Sequence, residues 1–235
     1  MTTRRPITFL AEYFGAIRAR RRIAALGEQS DEEALEFART FRWRGGRIAP
    51  TQTPEEILWL LDRVRECKPR VIVEIGTDEG GTLFLWSRVA PDDAVIVAID
   101  SRPLGMLGRV SAYAIVRRGF ARGQQRLELL FGRDSHDSMT VEDLERTLAD
   151  TPIDFLFIDG DHSYEGVRQD FERYASLVRP GGMVALHDVV AADAPGVARF
   201  WSELAETHAT EVRADSIYGI GIVHVASAGV SIASG

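Results

Sequence analysis

Carboxylates and imidazoles recur in this 235-residue chain at one kind of place, within or just after a short apolar run. Glu74 sits inside VIVEIG and Asp100 closes VIVAID; Asp134, Ser135 and His136 follow LELLFGR; Asp159 and His162 follow FLFI; His187 and Asp188 follow MVAL. Carboxylates so placed accept hydrogen bonds from hydroxyl and ammonium groups, and an imidazole with its ordinary pKa near 6.5 can move a proton at neutral pH. A glutamate in an otherwise apolar run costs stability unless it binds something, so Glu74 is expected to face a ligand. The turn after it, Gly76-Thr77-Asp78-Glu79-Gly80-Gly81-Thr82, opens onto the helical pattern LFLWSRVA, and its glycines let backbone N–H groups come close to a ligand. A dinucleotide site asks for G-x-G-x-x-G; the matching positions are Gly76, Asp78 and Gly81, and an anionic middle residue repels a pyrophosphate. Asp100 falls where a carboxylate takes ribose hydroxyls, which points to a nucleoside-like ligand. A single polar residue after a strand is more simply a helix N-cap, and that role is expected of Asp137, Ser163 and Asp193. It does not account for Asp100, Asp159 and Asp188 together.

Residues at strand ends act together only if the strands lie side by side. Val71–Ile75, Ala94–Ile99, Leu127–Phe131, Ile153–Ile158 and Met183–Leu186 read as strands, short and rich in β-branched residues. Helices are expected over Gly81–Ala90, Val141–Leu148, Tyr164–Leu177 and near Val197–Thr207, with Pro180-Gly181-Gly182 as a turn. Two terminal strands, near Glu211–Ala214 and Gly219–Val225, should form an antiparallel edge. The fold class is therefore α/β: a doubly wound, mostly parallel, seven-stranded sheet with N-terminal helices. Ligands of such sheets bind outside the carboxyl ends of the strands, where the acids cluster. Thr53-Pro54-Glu55-Glu56 carries an N-cap, a proline and a capping-box glutamate for a helix running to about Lys68. The expected organisation is an N-terminal extension over 1–50, a ligand-binding domain over 51–228 and a tail over 229–235.

In the first helix Leu10, Tyr13, Phe14 and Ile17 recur at helical spacing, an apolar face to pack on the domain or on a partner subunit, followed by a basic end at Arg18, Arg20, Arg21 and Arg22. Phe41–Gln52 reads as a loop. A net charge of −7 argues against nucleic-acid binding through the whole surface. The single cysteine, Cys67, excludes an internal disulfide and a cysteine zinc cluster, and its expected role is packing. There is no apolar run of about 18 residues for a membrane span, and the N-terminus lacks a leader's apolar core and cleavage site, so a cytoplasmic protein is expected.

The pattern Glu-x-Gly-x-x-x-Gly at Glu74, Gly76 and Gly80 resembles the first motif of class I S-adenosylmethionine-dependent methyltransferases, whose cofactor is cationic and has no phosphate. With Asp100, the block IDFLFIDGDHSYEGVRQDFERYASLVRPGGMVALHD and the terminal YGIGIV, the chain resembles class I O-methyltransferases over roughly residues 50–225. More narrowly it is similar to the bacterial group of sugar O-methyltransferases from macrolide and aminocoumarin biosynthesis and cephalosporin-hydroxylase-like proteins. The resemblance implies a Rossmann-like methyltransferase fold, S-adenosylmethionine as cofactor and a small-molecule hydroxyl as acceptor. Glu74, Gly76 and Gly80 would contact the methionine part, with Thr77 and Thr82 of the same turn among the cofactor-binding residues. Asp100 would hold the ribose, Ser135 and His136 the adenine, and Asp159 would join the cofactor site. Relatives hold a divalent metal through counterparts of Asp159, His187 and Asp188. The imidazole of His187 stands where an acidic ligand is usual and tilts such a site from magnesium toward manganese, iron or zinc. His162 matches the position of a basic residue that deprotonates the acceptor hydroxyl, work an imidazole suits.

Two other classes stay in view: a cephalosporin-hydroxylase-like oxidoreductase, against which the broken fingerprint at Asp78 argues, and a non-catalytic binding module of the same fold. Acceptor selection would fall to the N-terminal segment and to the loops Ser101–Arg118 and Val189–Pro195. In the first of these Arg102, Arg109, Arg117 and Arg118 read as solvated.

Overall fold

A computed structural model describes residues 6–102 and 112–226. Arg109 and the segment 229–235 lie outside the described residues. Helices α1 (Pro6–Ala24) and α2 (Asp31–Thr40) lead to a hairpin of β1 (Arg42–Trp43) and β2 (Gly46–Arg47), and then to α3 (Pro54–Cys67). Ser30 with Glu33 and Thr53 with Glu56 form reciprocal capping boxes at the starts of α2 and α3, the second with Pro54 in the first turn as its sequence requires. The stretch expected as loop from Phe41 thus contains paired strands, Arg42 opposite Arg47 and Trp43 opposite Gly46. Strands of two residues carry no alternation to read; the pairing comes from the turn at Arg44-Gly45.

Strand and helix then alternate: β3 (Val71–Ile75), α4 (Gly81–Val89), β4 (Val95–Asp100), α5 (Ala112–Arg117), β5 (Arg126–Phe131), α6 (Ser138–Leu148), β6 (Ile153–Ile158), α7 (Tyr164–Tyr174), β7 (Val178–His187), α8 (Pro195–Thr207), β8 (Ala209–Arg213) and β9 (Ile220–His224). The sheet order is β5-β4-β3-β6-β7-β9-β8, parallel from β5 to β7, with β9 antiparallel to both β7 and β8. The order reverses between β3 and β6, and the crevice outside their carboxyl ends is where such a sheet takes a ligand.

Each face of the sheet has its own core. Ile72, Ile96, Phe155 and Phe157 pack beneath the N-terminal helices and α4; Val71, Val73, Ile75, Leu156 and Ile158 pack beneath α6, α7 and α8. Trp86 of α4 meets Phe155 and Phe157 edge-on at 5.2 and 5.4 Å, contacts worth about 0.5–1.5 kcal/mol each beyond burial. Those contacts also fix the indole N–H below the site.

Packing departs from one branch of an expectation in α1, that of the stripe lying on the domain, and from the expected turn before β7. In α1 the buried positions are Ala16, Ala19 and Ile23, while Leu10, Tyr13 and Phe14 point outward. Ala16 and Ala19 take the inner face because α1 lies directly on the α5 region, so closely that a Cβ on Gly119 would stand 2.8 Å from Arg20 O. The Pro180-Gly181-Gly182 stretch does not precede its strand but lies within β7, where the register with β6 shifts between Ile153 and Phe155. Gly181 N–H donates to Val225 and Val225 N–H to Gly182, so the bulge is tied to the sheet edge. Among the described residues no helix is long and apolar enough to cross a membrane.

Candidate active site

The turn after β3 is shaped by close approach. Gly76 has φ +83°, and a Cβ there would stand 2.0 Å from Asp159 O, so only glycine lets the β3 and β6 ends meet. At the start of α4 a Cβ on Gly81 would fall 2.1 Å from Pro50 N; its absence lets the segment before α3 lie on this turn. Asp78, at the position a dinucleotide site gives to glycine, takes φ +40°, a left-handed conformation aspartate tolerates. Glu74 is fully buried and accepts from Trp86 Nε1 at 2.9 Å, while its Oε2 has no partner. Burial pushes its carboxyl up to about 7, against the pull of Thr82, Trp86 and Thr77.

One cleft of about 460 Å³ runs along the strand ends, lined among others by Gly76, Asp100, Ser135, His136 and Asp159. Glu74, Thr77, Gly80 and Thr82, also expected at the ligand, are not in its lining. They lie in the turn or below it, and Thr77 N–H is spent on Asp100 Oδ2 at 3.1 Å. Asp100 is nearly buried and also accepts from Arg102 through the backbone N–H (2.8 Å), Nε (3.1 Å) and Nη2 (2.9 Å). Burial alone would raise its pKa, but the guanidinium and these N–H groups outweigh it and hold the carboxyl below the usual range. Arg102 reaches on to Asp78 Oδ1 at 3.0 Å and so ties the two sides of the cleft mouth. At the far end, Ser135 O accepts from Tyr174, and His136 Nε2 lies 3.2 Å from Gly166 O.

The third group gathers where β6 and β7 end. His187 Nδ1 lies 3.2 Å from both Asp159 Oδ1 and Asp188 Oδ2. His162 Nε2 stands 3.2 Å from Asp188 Oδ2 and 3.9 Å from Asp159 Oδ1. Asp188 takes φ +63°, a strained choice for a residue with a Cβ, and of the kind that collects at working sites. Burial by itself would lower the pKa of His187, yet the flanking carboxylates, Asp159 foremost, push it up to about 10. Burial would raise that of Asp159, but the two imidazoles hold it far below the usual range. His162, half exposed, is likewise raised, by Asp159 first and, against some burial, by Asp188. Ligand atoms of Asp159, His162 and Asp188 all fall within 4.8 Å of one another.

The expected helix caps hold at Asp137, which accepts from Met139 N–H, and Ser163, which accepts from Gly166 N–H. Asp193 is exposed and caps nothing; α8 begins after Ala194, without a side-chain cap. Arg117, expected in solvent, is buried against Tyr113 and Phe131, donates to Asp78 O, and is lowered to about 10 by that burial. Sequence reading missed Gln52, whose Nε2 donates to Asp159 Oδ2 at 2.7 Å. Its only local signal is its place just before the capping box at Thr53.

Comparison with known proteins bears on the fold that carries these residues. A methyltransferase-domain family model matches residues 73–189, the span from β3 to the end of the Asp188 turn. The O-methyltransferase TomG of Streptomyces achromogenes, involved in tomaymycin synthesis and solved with SAM, superposes with a TM-score of 0.55 at 21% identity, covering 93% of this chain and 96% of that one. An O-methyltransferase from Bacillus cereus in complex with SAH gives 0.53 at 20% identity, covering 88% and 97%. At such identities these likenesses speak for the fold. Protein y4gI of Sinorhizobium fredii, itself uncharacterized, is 32% identical over 154 residues, 63% of this chain but 16% of its own length. The chain thus spans about a sixth of that relative. With its acidic strand ends and its seven-stranded sheet, the chain has the Rossmann-like fold of S-adenosylmethionine-dependent methyltransferases, and its residues 73–189 match the methyltransferase domain.

Proposed function

We propose that this chain transfers a methyl group from S-adenosylmethionine to a hydroxyl oxygen of a small molecule, a sugar or another natural product. The observation that carries this reading is the cleft shared by Asp100 and Asp159, with Asp159 also within reach of His187 and His162, which lie outside its lining against Asp188. Its lining holds five carboxylates (Asp78, Asp100, Asp134, Asp159 and Asp161) against Arg102 and Arg133. That balance suits a cationic, phosphate-free nucleoside and disfavours a pyrophosphate.

When bound, the cofactor supplies an electrophilic methyl that passes in line to the acceptor oxygen as the carbon–sulfur bond breaks. Asp100 would accept from the ribose hydroxyls, and Ser135 and His136 would border the base. His162 takes the acceptor's proton on Nε2, and Asp188 holds the imidazolium that forms. The acceptor hydroxyl and the cofactor need only be aligned, so most of the acceleration comes from positioning. His162→Ala should cut turnover by about 10²–10⁴-fold with cofactor affinity near wild type. S-adenosylhomocysteine release over a panel of hydroxyl acceptors, beside calorimetry with S-adenosylmethionine, measures both. An active mutant removes the base, and no binding at millimolar cofactor removes the whole reading.

The compact donor set favours a second element. Asp159, His162 and Asp188 would hold a divalent cation, with His187 against the same carboxylates, and two oxygens with an imidazole suit manganese, iron or zinc. Such an ion would acidify the acceptor hydroxyl. It would also compete with the proton for His162 Nε2, so added metal should change the pH profile if this element operates.

A further inference from the structure

We infer that Arg117 is a positioning residue for the cofactor: from behind the cleft wall its buried guanidinium braces the turn after β3 and adds a second cation to the one that Asp100 already meets. The inference rests on the cleft being an S-adenosylmethionine site.

A second cavity, of about 280 Å³, adjoins the cleft, and Asp78, Asp100 and Arg102 line both. Those three residues form a partition between the two spaces. Arg117 lines the second cavity with Tyr113 and Phe131, so it meets the partition from the side away from the ligand. Through Nη2 it donates to Asp78 O, in the turn where Asp78 takes φ +40°. A Cβ on Gly80 would stand 2.8 Å from Arg117 Nε, so the bare glycine gives the guanidinium its place beside the turn. The rings of Phe131 and Tyr113, with centres 4.8 and 5.5 Å from its carbon, hold it there.

Stability alone does not account for such a residue. The carboxylates of this cavity are paired with other arginines, Asp78 and Asp100 with Arg102 and Glu79 with Arg47. Arg117 is only 5% exposed, and its Nε is buried without an acceptor. An ion taken out of water without a contact partner is costly, and an apolar side chain of that length would fill the space without the cost. What the guanidinium adds is a field. Of the charges around it, Asp100 favours its ionised form most, with Glu74 on the same side and Arg102 opposing. Arg102 makes the contacts with Asp100, but it is 55% exposed and screened by water and salt, whereas Arg117 is not. A carboxylate backed by a buried cation stays ionised and ready to accept hydrogen bonds.

The test pairs titration calorimetry of the full chain with S-adenosylhomocysteine and thermal melts. Arg117→Met keeps the apolar stem and removes the charge and the donors. It should bind S-adenosylhomocysteine about tenfold more weakly than wild type, yet melt no lower. Arg117→Lys restores the charge and should recover affinity to within about threefold of wild type. Unchanged affinity in Arg117→Met overturns the inference. So does a lowered melting temperature or a failure to fold in that variant, or an equal loss of affinity in Arg117→Lys, since each makes Arg117 a packing residue. All of these leave the cofactor reading standing. A wild type that does not bind S-adenosylhomocysteine overturns both.

Discussion

Asp100 and Asp159 occupy equivalent slots, each at the carboxyl end of a parallel strand beside β3, yet the fold makes different groups of them. Both carboxyls are held below their ordinary range, Asp100 by a guanidinium and backbone N–H groups and Asp159 by two imidazoles. An arginine keeps its charge at any working pH, so the Asp100 end is a static pair. Imidazoles change charge within the working range of pH, here on the alkaline side because both are raised, His187 to about 10, so the Asp159 end responds to pH. The same residue type becomes a holder in one place and part of a proton-handling cluster in the other, because of what the neighbouring loop brings.

Breaking each aspartate in turn should expose that contrast most strongly. Asp159→Asn leaves the buried His187 imidazolium without its main partner and should cost about 3 kcal/mol or more, whereas Asp100→Asn should cost about 1 kcal/mol, since Arg102 can turn to water. Urea unfolding of the two mutants compares them; equal losses would erase the distinction. Next in size is the pH dependence of turnover. His162 must be neutral to act, and its pKa lies above 6.5, so the acid limb should fall above pH 6.5 and move down in Asp188→Asn. An unmoved limb would separate Asp188 from the base.

A further effect is expected in stability against pH. Because folding raises the pKa of His187 to about 10, its contribution is complete below pH 6.5 and is lost as pH rises toward 10. Thermal melts should decline across that window, and His187→Asn should flatten the decline. Smallest is Arg102→Ala. Its side chain is 55% exposed, so stability should change by less than about 1 kcal/mol, while the salt dependence of cofactor binding weakens. A large loss of stability would show that the Asp100 end is as rigidly paired as the other.

Much of this site was legible because chemistry and periodicity coincide at strand ends. The runs VIVEI, VIVAID and IDFLFI had to be buried parallel strands, and the residues closing them had to meet along one edge. Asp137 and Ser163 as caps were legible for a similar reason, since capping is local. Gln52 was not, because its partner lies 107 residues away and an isolated glutamine has no pattern. Arg117 was misjudged because an arginine's burial depends on rings that fold over it. In α1 the stripe faces away from the domain, because the close contact with the α5 region runs through Ala16 and Ala19.

From residues alone came the class of fold, the order of strands and helices, the row of acids and histidines, and the absence of a disulfide. These follow from local propensity, burial period and composition, which need no partner. Tertiary structure decided which oxygen faces which nitrogen: Asp100 to Arg102, Asp159 to Gln52 and His187, and Asp188 to His162. Those choices set protonation, and they depend on distances between segments remote in the chain, where Coulomb energy and desolvation change within an ångström or two.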